Sequence, residues 1–401
     1  MIQFNKALKI VEKEFDRIKN GIEKVDLLNS LNRIIDEDIY ADTDQPLFTN
    51  SSMDGFAVKY VKGNNRWKII GEIKAGGYKN INVRPGESVR IMTGSKLPPG
   101  ADTVIPIENM IEDNNFVNCL NNILLRKGLN VRQHGEDIRK GNLLIRKNTI
   151  LNSNNIAIAA SCGKKTIKVY SKLKIGVLAT GDELVDINIK PIKDKIRASN
   201  LYSLLSAIQE MNMIPVSFGI VKDKKIILKQ RVWEALNSDI DILLTAGGVS
   251  AGKYDLLKKI FEELNVKIKF SQVNIKPGKP IVFGVYLKNG KRVMVFGLPG
   301  NPVSCYVNFI LFVRNVIMKT ISLNSNPCET AIINSTITKR DNKRHFLRGI
   351  IQNKKGINFV SHIGSQSSAN IDGLNSANCL IVFNEKIMRL KQGNKVECIM
   401  I

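Results

Sequence analysis

Apolar side chains recur at Leu8, Val11, Phe15 and Ile18 with polar residues between them, the spacing of one helix face, and predict a helix over residues 3–19. From about residue 25 to 150 the pattern changes to short β-type runs broken by Gly and Pro, such as Trp67–Ile70, Ser88–Met92 and Thr103–Ile105. These predict a β-rich region. Leu151–Ala160 reads as a second helix. From about 172 the chain alternates strand and helix: strands at Leu173–Ala179, Ile214–Val221, Ile240–Thr245, 281–286 and 292–297, and helices at Ser199–Met211, Asp223–Asn237, Asp255–Leu264 and Pro302–Lys319. Such alternation predicts an α/β unit with a mostly parallel sheet. Beyond residue 320 helical periodicity stops and short strands return, among them Leu380–Phe383, predicting a small C-terminal β domain.

Length and composition narrow the class. A chain of 401 residues should hold two to four domains. With 43% hydrophobic and 24% charged residues it is neither collagen-like, disulfide-scaffolded nor wholly disordered. The abnormal quantity is charge: 60 Lys and Arg against 36 Asp and Glu leave +24. The excess is spread evenly. Residues 320–401 carry eleven basic and five acidic side chains, about their share, and aromatic residues are only 6%. Nucleic-acid readers concentrate charge and interleave it with aromatics. The excess therefore reads as compositional drift toward Lys, and no nucleic-acid partner is expected. Neither CxxC pairs nor zinc-type histidine spacings occur among the six cysteines and three histidines. The N-terminus carries acidic residues and is no signal peptide. The most apolar run, Val303–Met318, is interrupted by Asn308 and Arg314 and is too short to span a bilayer. A cytoplasmic protein without membrane association is expected.

Open α/β sheets bind ligands beyond the carboxyl ends of their strands. Four loops there are rich in Gly, Ser, Thr and carboxylates: Ala179–Leu184, Thr245–Gly252 leading to Asp255, Lys276–Pro280, and Gly297–Ser304. In the last, Asn301 suits an N-cap and Pro302 the first helical position, and a helix N-terminus favours an anion. One such loop is ordinary turn chemistry. Four on successive elements of one sheet point to a phosphate-bearing ligand. Lys276 and Lys279 flank a Pro-Gly turn and could act as point charges toward phosphate or an oxyanion. Asp182, Glu183 and Asp255 would repel such a ligand unless a cation lay between, and hard oxygen ligands shared with phosphate suit Mg²⁺. Walker-type and GxGxxG loops are absent, which argues against a P-loop or Rossmann dinucleotide site. In the β-rich region, Asn50–Val58, Met92–Thr103 and Arg132–Ile138 read, on physics alone, as turn chemistry.

In their joint order these motifs resemble the molybdopterin molybdenumtransferases, the MoeA family, related to the E domain of gephyrin. The resemblance runs through Ser52–Ala57, Met92–Gly94, Gly100–Ile105, Gly135–Ile138, Thr180–Leu184, Ser199-Asn200, Gly247–Ser250, Lys276–Pro280 and Gly297–Ser304. It implies insertion of molybdate into adenylylated molybdopterin with release of AMP, aided by Mg²⁺. It implies four domains: residues 1–22 with 140–170 helical or linker, 23–139 β-rich, 171–319 a mostly parallel α/β domain that binds molybdopterin, and 320–401 a C-terminal β-barrel.

By the same resemblance, Glu183, Asp223 and Asp255 would serve the pterin–phosphate and metal site, with Glu183 and Asp255 as metal ligands. Thr180, Gly181, Asp182, Ser199, Asn200, Gly247, Gly248, Ser250, Pro299, Gly300 and Pro302 would line the substrate site. Lys276, Lys279 and Ser304 would bind phosphate or molybdate, with Arg348 and Ser368 reaching in from the C-terminal domain. Asp54, Thr93 and Asp137 would act from the β-rich region, in a homodimer whose cleft sets that region against the partner's α/β domain. Transient contacts with a molybdopterin adenylyltransferase and with apo-molybdoenzymes would follow. The chain departs from the family pattern at Thr49–Ser52, where Asp-Asn-Ser is common, at Phe56 for Tyr, and at Lys224 and Lys253 where acidic residues are common. Two other readings are a molybdopterin adenylyltransferase, which would need only about 150 residues of this length, and a non-enzymatic scaffold like gephyrin.

Overall fold

The computed structural model describes residues 1–16, 21–77, 79–120, 124–248, 256–288, 290–321 and 328–401. At its centre six strands run in the order Ile214–Val221, Lys174–Thr180, Ile242–Ala246, Lys291–Leu298, Pro280–Lys288 and Lys267–Gln272. The first four are mutually parallel; Pro280–Lys288 is antiparallel to both of its neighbours. The mostly parallel α/β sheet is thus present, with an edge strand, Lys267–Gln272, in addition to those expected.

Helices cover both faces because the strands are apolar on both. Ile175, Val177, Ile242 and Leu244 share a core with helices Ser199–Glu210 and Pro302–Phe309. Leu178, Leu243 and Val295 turn the other way, against Leu228 and Val232 of Lys225–Asn237 and Ile260 and Phe261 of Leu256–Glu263. The expected first helix, Phe4–Phe15, buries Phe4, Ala7, Val11 and Phe15 in the first of these cores. Its buried Glu14 pairs with Lys269 at 3.0 Å and Arg292 at 2.5 Å.

The helix expected from Pro302 to Lys319 is interrupted by a π-helical turn at Ile310–Arg314. Such insertions widen a helix locally. Arg314 donates from it to the Met400 carbonyl at 2.7 Å, tying the helix to the C-terminal strands.

Those strands close on themselves. Arg344–Lys354 pairs with Ile357–His362, which leads through Cys328–Ile333 and Lys395–Met400 to Cys379–Phe383 and back to Arg344–Lys354, a five-stranded barrel. A short parallel pairing, Ile275 with Arg344 and Lys276 with His345, stitches the α/β layer to the barrel.

The β-rich region forms its own six-stranded sheet: Thr103–Pro106, Gly55–Val58, Glu87–Ile91, Arg66–Ile73, Phe116–Cys119 and Met110–Asp113. Antiparallel pairing of Ile22–Asp26 with Thr166–Tyr170 brings together the two chain segments that flank it. Nearby, the Ser153–Ser161 helix is capped reciprocally by Asn152 and Asn155. No described helix is long and apolar enough to cross a membrane.

Asp239 bridges two strands of the central sheet, accepting from Lys174 at 2.5 Å and Lys291 at 2.8 Å. These bonds hold its carboxyl down to about 2 from an ordinary 3.8. A depressed folded-state pKa contributes stability that is present above the unfolded value and lost as pH falls through the folded one. The melting temperature of Asp239→Asn should therefore fall less than that of the wild type between pH 3.8 and about 2. Parallel decline of the two would show that the bridge contributes nothing. The effect should be small, because the pair is exposed.

Candidate functional site

Two adjoining cavities lie where the central strands end. The first, of about 640 Å³, is lined by Thr180, Glu183, Ser199, Asn200, Asp223, Gly247, Gly248, Pro299, Gly300 and Pro302. These ten are residues the resemblance implied, whereas Ile196, Arg197 and Ala369, which also line the cavity, were not expected. Thr180 is buried and donates from Oγ1 to Asp223 Oδ1 at 2.5 Å. Asp182 lies one step behind the wall, its Oδ1 accepting from the Asp223 amide at 3.2 Å and its carbonyl from Lys195 Nζ at 2.9 Å. Gly181 hydrogen-bonds the neighbouring strand through Val221. Asn200 Nδ2 donates to the Gly300 carbonyl at 2.7 Å and so clamps two of the loops. Gly247 has φ +106°, and a Cβ there would stand 2.1 Å from the Thr180 carbonyl oxygen. Only glycine lets the strand ends approach this closely.

The second cavity, about 1040 Å³, opens between the lysine loop, the start of the Pro302 helix and the barrel. Lys276, Lys279, Ser304, Arg348 and Ser368 line it, as expected. Pro280 belongs to both cavities. Between them, Asn301 Nδ2 donates to Ser368 Oγ at 3.2 Å and the Val303 amide to the Ser368 carbonyl at 3.2 Å.

Arg348 is only 1% exposed, and its guanidinium donates to the carbonyls of Asn370, Ser365 and Ser367 at 2.6, 2.7 and 3.0 Å. Those bonds make it the post around which the 365–370 loop is wound, so its position does not rest on contact with an anion.

The lysine loop is pinned from below. Asn308, fully buried in the Pro302 helix, donates from Nδ2 to the Gly278 carbonyl at 3.0 Å. Gly278 has φ +89°, and a Cβ there would meet the Asn308 amide at 2.5 Å. Among the described residues the Asn308 oxygen has no hydrogen-bond partner, so leucine at this position would remove one unsatisfied group while orphaning another. Asn308→Leu should therefore change fold stability by less than about 1 kcal/mol while weakening oxyanion binding about five- to tenfold through a loosened loop. Calorimetric titration with tungstate, alongside a thermal melt, checks both halves; unchanged affinity would free the loop from Asn308.

Other expected residues stand apart. Asp54 Oδ1 accepts from the Thr93 amide and hydroxyl at 2.7 and 2.6 Å, which hold its carboxyl below the usual range. Asp137 pairs with Arg132. All three expected residues of the β-rich region, Asp54, Thr93 and Asp137, are exposed and line neither cavity. Ser250 and Asp255, with Lys253, lie outside the described residues. Among the described residues no three of His, Cys, Asp and Glu converge as a ready-made metal site. Glu183 and Asp223 nevertheless offer hard oxygens on one cavity wall. That suits Mg²⁺, which keeps several waters and takes only one or two protein carboxylates.

The barrel wall holds residues that motif reading missed. Lys339, Asp341, Lys343 and His345 line the second cavity. Asp341 Oδ1 lies 2.7 Å from His345 Nε2. Their only trace in the sequence is an Asp four residues before a His inside a basic run, 339–345.

Three family models cover this architecture in order: MoeA N-terminal region (domain I and II) over residues 2–163, probable molybdopterin binding domain over 176–319, and MoeA C-terminal region (domain IV) over 330–401. A molybdopterin molybdenumtransferase of Bacillus subtilis is 32% identical over 391 residues, 94% of this chain and 90% of that protein. The chain belongs to the MoeA family. Within it, gephyrin of Dictyostelium discoideum is 31% identical, matching all of this chain and 62% of its own length. A crystal structure of the molybdopterin biosynthesis MoeA protein of Pyrococcus horikoshii superposes with a TM-score of 0.82 at 30% identity, covering 100% of this chain and 99% of that one. Membership gives the fold its assignment: the α/β centre and closed five-stranded barrel are those of MoeA proteins.

Proposed function

We propose that this chain is a molybdopterin molybdenumtransferase of molybdenum cofactor biosynthesis, inserting molybdate into adenylylated molybdopterin with release of AMP. The observation that carries this reading is the pairing of two cavities across Pro280 and the Asn301–Ser368 bond. One is walled by glycines, hydroxyls and carboxylates; the other carries the two loop lysines. A substrate with pterin, dithiolene and phosphates is long enough to occupy both, and molybdate, a compact dianion, matches the lysine side.

The first cavity, in this reading, takes the pterin phosphates: Thr180 fixes Asp223, Asn200 fixes Gly300, and Gly248 and Gly300 leave the wall free of side chains. Glu183, with Asp255, would hold Mg²⁺, which when bound supplies charge neutralisation at the phosphates. In the second cavity Lys276, Lys279 and the buried Ser304 hydroxyl hold the oxyanion, while Ser368 closes the wall and Arg348 keeps its loop in place. Charged donors already in position where negative charge gathers require no reorganisation during the reaction.

The exposed Asp54, Thr93 and Asp137 fit a homodimer in which the β-rich region of one protomer faces the partner's cavity. The division into residues 1–22 with 140–170, 23–139, 171–319 and 320–401 belongs to the same proposal, with the first helix strapped onto the α/β core. A cytoplasmic location and transient transfer contacts with a molybdopterin adenylyltransferase and apo-molybdoenzymes complete it. Incubation with adenylylated molybdopterin, molybdate and Mg²⁺ should release AMP and yield cofactor that activates an apo-molybdoenzyme. Absence of turnover with intact, folded protein would overturn the enzymatic reading in favour of a scaffold.

A further inference from the structure

The second cavity contains a titratable group that the function above does not use. His345 lines it and is only 7% exposed. Nε2 lies 2.7 Å from Asp341 Oδ1, and the Phe383 ring stands edge-on at 6.2 Å. Among the described residues Nδ1 has no hydrogen-bond partner, so it is the nitrogen left for a ligand. The backbone of His345 is paired with that of Lys276, which fixes the imidazole beside the lysine loop.

Its surroundings are mixed in charge. From the 339–343 loop come Asp341, with Lys343 at 4.0 Å from it, and the buried Lys339, whose ammonium lies 5.0 Å from the centre of the Phe383 ring. From the lysine loop come Lys276 and Lys279, and the same cavity is lined by Arg340, Arg348 and a second, exposed imidazole, His362. From the strand end come Arg344 and its partner Glu385, paired at 2.7 Å. Burial, with Lys339 and Lys276, pushes the imidazole below its ordinary 6.5 against the pull of Asp341. In the free protein at neutral pH the ring is therefore mainly neutral.

We infer that His345, backed by Asp341, takes up a proton when an oxyanion enters this cavity, so that oxyanion binding here is proton-linked. The inference rests on reading the cavity as the oxyanion site. A dianion between Lys276, Lys279 and His345 cancels the repulsion that the lysines exert on an imidazolium and replaces it with attraction. Nε2–H stays engaged by Asp341, which supplies the counter-charge, and the arriving proton, drawn from solvent, makes the ring a donor on both nitrogens. Binding that raises a pKa is strongest below the raised value and weakens as pH climbs through it. With one proton per oxyanion the loss approaches about tenfold per pH unit. Lysines give no such slope near neutrality, and the comparison of wild type with His345→Gln separates His345 from His362, the other imidazole lining the cavity.

Tungstate is a suitable probe, titrated calorimetrically into the full chain near pH 7 in buffers of different ionisation enthalpy. The wild type should take up a fraction of a proton to one proton per tungstate, with affinity falling as pH rises from 7 to 8. His345→Gln, which can still hydrogen-bond Asp341, should bind tungstate with no uptake and a flat pH profile. Asp341→Asn should show reduced uptake even where His345→Gln folds poorly. Tungstate binding without proton uptake, or equal uptake in wild type and His345→Gln, would overturn the inference and leave the cavity's assignment standing. No tungstate binding by folded wild type would remove that assignment as well.

Discussion

The Lys276→Met/Lys279→Met double variant should keep a wild-type melting temperature and lose at least about 100-fold in kcat/KM for molybdate. The two halves have separate causes. Lys276 is exposed and Lys279 half-buried, and among the described residues neither forms an ion pair, so removing their charges strands no buried carboxylate. Methionine preserves most of the side-chain stem. In the cavity the same lysines line the wall together with Ser304, on a loop that cannot readily move: Gly278 is held at φ +89° and its carbonyl by Asn308. A charge-assisted contact contributes about 1.5–3 kcal/mol, so losing two corresponds to at least two orders of magnitude. The loss should appear chiefly in the molybdate dependence, with the dependence on adenylylated molybdopterin moved less. Wild-type kcat/KM in the double variant would sink the placement of molybdate in the second cavity.

The elements were legible where one physical signal dominated. Ile214–Val221 appears with the expected limits, and the helix expected over Ser199–Met211 runs from Ser199 to Glu210. Loops at strand ends were legible as a group because chemistry and position agreed. Lys267–Gln272 was missed because its alternation, Ile268 and Phe270, is only two apolar residues long and follows directly on a helix. The π-turn at Ile310–Arg314 lies within the mainly apolar run Val303–Met318, whose period alone does not distinguish a π-turn from an α-helix. Arg348 was expected at the oxyanion site from the family resemblance, and it does line the second cavity. That it is surrounded by carbonyls of residues 365–370 depends on how the barrel folds the chain back. Asn308 was hidden for the same reason, since its partner is a loop carbonyl; for His345 the Asp341 four residues earlier was visible, but not the strand pairing with Lys276 that sets it beside the lysine loop.

Gly247→Ala should be the most damaging single-methyl change in the first cavity. The backbone at Gly247 lies at φ +106°, a region that costs an L-residue about 1–3 kcal/mol. The added Cβ would also lie 2.1 Å from the Thr180 carbonyl oxygen, which is main chain and cannot rotate aside. Thr180 must move, and with it the 2.5 Å bond that orients Asp223. The expected result is a lowered melting temperature and a fall of about 30- to 100-fold in kcat/KM for adenylylated molybdopterin, equivalent to about 2–3 kcal/mol. Gly248→Ala is the control. There φ is +64°, in the left-handed well, and the nearest atom is Cδ1 of Leu257 at 2.9 Å, the end of a flexible side chain. Its loss should be several-fold smaller. If Gly248→Ala proved the more damaging, the close approach of Gly247 to Thr180 would not be what shapes the phosphate side of the cavity.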